Sequence, residues 1–134
     1  MVEVHPERFV AVTVPARLGP SVRLVTDRLR TPFFVLFQSE EIVIVALEGE
    51  WGREAHFLPG ARAERGFRLI TLETSPDNSP RLPEILARMH PAGIHARPLS
   101  AFHRDHLLVR EEEVAAATEI VAAAVEEYRA QNAT

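Results

Sequence analysis

The chain has 134 residues and a mass of 15.0 kDa, with 46% apolar and 25% charged residues, a globular composition that excludes a wholly disordered chain. Its net charge is −4, and its 15 basic residues are all Arg, scattered among acids, which argues against the basic stripe of a nucleic-acid binder. There is no Cys and no Lys, which excludes disulfides, thiolate metal sites, Schiff bases and a P-loop lysine.

The longest apolar runs, 42–47 and 120–125, are six residues each, far below the roughly 20 that span a bilayer. The N-terminus shows no basic-then-apolar signal pattern, so no membrane partner and a cytoplasmic location are expected.

In chain order, residues 8–14 (RFVAVTV) read as a strand between Pro6 and Pro15. Residues 15–32 hold Pro15, Gly19, Pro20 and Pro32 and read as a loop with one short helical or extended piece. Residues 33–38 (FFVLFQ) and 42–47 (IVIVAL) read as a strand hairpin around Ser39, Glu40 and Glu41. One helical turn is expected near 51–56, before a loop.

Residues 67–73 (FRLITLE) form the next strand, opened by Gly66 and followed by a polar turn over 74–80. Leu82, Ile85, Leu86 and Met89 then recur at helical spacing, with Ser79 expected as N-cap, Pro80 in the first turn and Gly93 as the stop. A second strand pair is expected at 94–102 and 105–110, and an Ala-rich helix at 111–131.

A repeat is visible across this pattern. FFVLFQSEEIVIV and RPLSAFHRDHLLV align at an offset of 64 residues. Each half reads strand, connection, strand, strand, helical segment. The division implied is 1–62, with a degenerate first helix, and 63–134. A unit of about 60 residues is marginal alone, and two can bury a common core. The fold class expected is α+β, two ferredoxin-like βαββα units in tandem, with mostly antiparallel sheets and helices on one face.

The second half resembles the ACT domain, a ferredoxin-like regulatory module. The likeness rests on FRLITLE, the turn Asp77-Asn78-Ser79-Pro80, the run LPEILARMHPAGI and the stretch DHLLVREEEVAAATEIV. The first half, through TPFFVLFQSEEIVIVALEG, is similar to small bacterial proteins built from two tandem ACT-like units. The resemblance implies a non-enzymatic sensor that holds an amino-acid-like ligand at an interface between units; a homodimer is expected because two such small units leave apolar surface to cover. It also implies ligand contacts at Asp77, Asn78 and Ser79, with the backbone of Ile94 and His95 opposite. A helix N-terminus can hold a carboxylate and an Asp an ammonium, although the same residues serve equally as turn and cap. Pro80, Arg81, Leu82 and Pro83 stand where the family usually has a glycine. That departure suits the alternative, a structural or protein-interaction module that has lost the ligand site.

Other constellations point to no catalytic residue, metal or cofactor. His95, His103, Asp105 and His106 cluster in sequence, but His103 and His106 have opposite strand parity. Trp51 reads as a core cover, Glu40 and Glu41 as a solvated hairpin tip, and no GxSxG occurs.

Overall fold

The computed structural model describes residues 2–73, 80–100 and 104–132. The elements run β1 (Val2–Val4), β2 (Phe9–Pro15), α1 (Gly19–Thr26), β3 (Phe34–Phe37), β4 (Glu41–Leu47), α2 (Glu48–Glu54) and β5 (Arg62–Glu73). They continue with α3 (Leu82–Met89), β6 (Arg97–Ser100), β7 (Arg104–Arg110) and α4 (Val114–Gln131). Short 3-10 turns lie at Ala16–Leu18, Ala55–Phe57, His90–Ala92 and Glu111–Glu113. Two compact units result, Glu7–Phe67 and Met1–Pro6 with Arg68–Thr134. β5 is one strand that contributes residues 62–67 to the former and 68–73 to the latter.

The unit Glu7–Phe67 is built around the alternation of β2. Val10, Val12 and Val14 are fully buried and face one side, as period-two geometry requires. They pack with Ile42, Ile44 and Ala46 of β4, Val22 and Val25 of α1, and Trp51 of α2. Each fully buried Val or Ile among them contributes about 1.5–3 kcal/mol of hydrophobic stabilisation. The strand order is β3-β4-β2-β5, and the β3–β4, β2–β4 and β2–β5 ladders are antiparallel.

α1 is a full element of eight residues, the same length as α3. The prolines that break any long helix bracket this short one, the helical of the two alternatives expected within residues 15–32. Pro15 precedes it, Pro20 sits in its first turn, where a missing N–H costs nothing, and Pro32 follows. The hairpin between β3 and β4 is as expected, and Gln38 N–H donates to Glu41 C=O at 3.0 Å.

β5 starts at Arg62, five residues before the expected strand. Gly66 does not open it but lies within it, at φ +86°. The β2–β5 register slips there, from Phe9 opposite Phe67 to Ala11 opposite Glu64. Positive φ in a strand is the signature of a glycine bulge. The Glu48 carboxylate accepts the Gly66 N–H at 2.8 Å.

The other unit uses the second half of β5, then α3, β6, β7 and α4, and takes its remaining strand from the start of the chain. β1 pairs antiparallel with β5, Val2 opposite Leu72 and Val4 opposite Ile70. The order is β1-β5-β7-β6. Arg68 donates to the His5 carbonyl at 2.8 and 3.2 Å, and His5 N–H donates to Leu69 C=O at 2.9 Å. The core joins Ile70, Leu72, Ile85, Met89, Leu107, Val109, Val121 and Ala124.

α3 begins one residue past Arg81, which holds the N-cap position, and Pro83 lies in its first turn. Pro80 therefore precedes the helix, and the expected N-cap Ser79 lies outside the described residues. Gly93, at φ +76°, ends the helical segment as expected. β6 is shorter than the expected 94–102 because residues 94–96 make no ladder, and 101–103 lie outside the described residues. Among the described residues, both units thus carry four strands and two helices, with the strands in the ferredoxin-like sheet order. Each has one strand more than its βαββα sequence pattern.

Candidate ligand sites

The turn assigned from sequence, Asp77, Asn78 and Ser79, lies outside the described residues, as does His103. Its two proposed opposing residues are placed. Ile94 is 5% exposed, packs in the core of its unit, and donates its N–H to Met89 C=O at 3.2 Å. His95 is exposed, beside it, on the segment leading into β6.

A cleft of about 300 Å³ opens in the unit Glu7–Phe67, lined by Thr13, Val14, Pro15, Glu40, Glu41, Gly60 and Arg62. Three chain segments meet there: the end of β2, the β3–β4 hairpin and the start of β5. Backbone bonds fix the frame, with Ala16 N–H donating to Glu40 C=O at 3.2 Å beside the closed hairpin. Thr13 pairs with Arg62, and Pro15 pairs with Glu41. Cross-strand partners share a sheet face, so these four residues lie on the face away from Val12, Val14 and the helices. Among the described residues, nothing hydrogen-bonds or ion-pairs with the side chains of Glu40, Glu41 or Arg62. The sequence offers no signal for this cleft beyond the acid pair at 40–41, because its residues come from three separated segments and are joined only by ladder register.

Among the described residues, the most buried carboxylates lie elsewhere, on α2. Glu54 accepts Arg28 through both oxygens, at 2.6 and 3.3 Å. That guanidinium's hydrogen bond holds the Glu54 carboxyl below the ordinary glutamate range, against the opposing effect of burial. Glu50 accepts the Arg30 N–H at 2.9 Å and pairs with Arg53, while Glu7 holds the Arg30 guanidinium. This network clamps the segment after α1 to α2.

On β7, His106 Nδ1 lies 2.9 Å from the Thr71 hydroxyl. Burial, then the Arg104 charge, pushes the His106 pKa down, and Asp105 opposes them. Among the described residues, no three potential metal ligands gather, and no helix is long and apolar enough to cross a membrane.

No family model matches the chain, and neither does any curated protein. Solved structures do. A Vibrio cholerae protein of unknown function, described as a possible transport protein, is 20% identical with a TM-score of 0.65, over 90% of this chain and 85% of that one. The regulatory subunit of Thermus thermophilus aspartate kinase is 13% identical with a TM-score of 0.66, over 92% of this chain and 95% of that one. E. coli aspartokinase III, solved with aspartate and ADP, is 9% identical with a TM-score of 0.67; 92% of this chain covers 33% of it. At these identities the likeness establishes architecture. The chain has an α+β, ferredoxin-like fold, shared with the regulatory subunit of the Thermus thermophilus aspartate kinase.

Proposed function

We propose that the chain is a regulatory module that binds a small amino-acid-like metabolite and performs no chemistry of its own. The observation that carries this reading is the fold-length match to a regulatory subunit, which covers nearly all of both chains. The proposed contacts are Asp77, Asn78 and Ser79, with Ile94 and His95 opposite. In this reading Asp77 meets an ammonium, and N–H groups ahead of α3 meet a carboxylate. Binding acts by favouring one arrangement of the protein over another, since only differential affinity shifts such an equilibrium. A homodimer belongs to the same proposal and predicts a sedimenting mass of twice the 15.0 kDa chain.

Thermal unfolding against the common amino acids, each as both enantiomers, tests the reading. One amino acid should raise the melting temperature saturably and stereoselectively. At a hundred times its dissociation constant the stabilisation is about 2.7 kcal/mol. Asp77→Ala should abolish the rise. A flat response to every amino acid overturns the sensor and favours the alternative, an interaction module without a ligand site.

A further inference from the structure

We propose that the cleft between the end of β2, the β3–β4 hairpin and the start of β5 is a second binding site. Its ligand is a small zwitterion whose ammonium and carboxylate stand at the two ends of a short chain: an ω-amino acid or the termini of a short peptide. This goes beyond the ligand assigned to the Asp77–Ser79 turn and does not depend on it.

The argument is one of register and charge. Glu41 and Arg62 project from the same sheet face but from opposite sides of β2, since β4 and β5 are its two neighbours. Two strand spacings across and two residues along put their Cα atoms about 12 Å apart. Across that span they form no ion pair with each other. Both are exposed, and Glu40 adds a second carboxylate at the hairpin end. The floor between the charges is Thr13 and Pro15, and Gly60 leaves one wall free of a side chain. A carboxylate pair at one end selects an ammonium, and a guanidinium at the other selects a carboxylate in bidentate geometry. An α-amino acid carries both charges on one carbon and cannot reach both ends unless Arg62 folds across the cleft. The volume of about 300 Å³ suits a small ligand. The strand ladders hold the frame before binding, which lowers the ordering cost.

The test is a calorimetric titration of the full chain with glycine, γ-aminobutyrate and ε-aminocaproate. Butylamine and butyrate serve as singly charged controls, and backbone amide NMR locates the contact. The longer zwitterions should bind at least tenfold more tightly than glycine or either control, and shift the amides of Thr13, Val14, Gly60 and Arg62. Arg62→Gln and Glu41→Gln, both at exposed positions, should each weaken binding at least tenfold while thermal unfolding stays unchanged. The proposal is overturned if no zwitterion shifts those amides, if a control binds equally well, or if both variants bind like the parent. Shifts confined to Ile94 and His95 also overturn it, yet leave the function proposed above standing. A flat amino-acid screen with shifts at Thr13 and Arg62 does the reverse.

Discussion

Gly66→Ala isolates the backbone conformation of the β5 bulge from every packing effect. A Cβ built at Gly66 meets no heavy atom within 4 Å, and the backbone there has φ +86°. Alanine therefore adds no clash, and the entire loss is the cost of a left-handed conformation, about 1–2 kcal/mol. The N–H that Glu48 accepts is retained. Asn tolerates this region better than Ala, so Gly66→Asn should lose about half as much. Gly52 supplies the control: its Cβ position is also open, but it lies inside α2, so Gly52→Ala should gain about 0.5–1 kcal/mol. Trp51, the only tryptophan and 3% exposed, reports urea unfolding of this unit by fluorescence. The midpoint should fall for Gly66→Ala, fall less for Gly66→Asn and rise for Gly52→Ala, at constant m value. Equal losses for the two substitutions of Gly66, or no loss for Gly66→Ala, would refute the conformational explanation.

Three further outcomes are expected. Glu54→Gln should lower stability at neutral pH. Because the native Glu54 pKa is depressed, its contribution is present above the ordinary glutamate range and lost as pH falls through the folded-state value. The parent and variant urea midpoints should thus converge on acidification, and a constant gap contradicts the ion pair. The native His106 pKa is also depressed, so the unfolded chain takes up the proton first as pH falls through about 6.5. His106→Asn should remove that part of the stability loss, and an NMR titration placing the native ring above its ordinary value would be fatal to it. Arg68→Met removes two charged hydrogen bonds to His5 C=O from a side chain only 19% exposed, a loss of about 1.5–3 kcal/mol. Amide exchange in β1 should accelerate ahead of the rest of its unit, and uniform acceleration would count against a local clip.

Elements with a strong period were readable from residues alone. β2, β4 and β7 concentrate branched apolar side chains, and α4 sustains helical spacing over five turns. The elements that escaped lack such a signal for identifiable reasons. β1 has three residues, too few to display a period, and its partners near Leu72 lie far along the chain. The first four residues of β5 are all exposed and three are charged, so only backbone pairing with β2 makes them a strand. α1 buries Val22 and Val25 but leaves Leu24 64% exposed, which blurs its apolar stripe. The cleft at Glu41 and Arg62 was invisible for a related reason: register, which no local window contains, decides that they share a face.

The origin of β1 has a consequence for synthesis. Val2–Val4 are synthesised before their partners and have no ladder until Ile70–Leu72 follow, whereas the unit Glu7–Phe67 is complete by then. A change that disturbs those three residues would therefore injure the unit synthesised after Phe67 rather than the one beside them in sequence. Grafting Val2–Pro6 behind α4 would make that unit contiguous in sequence.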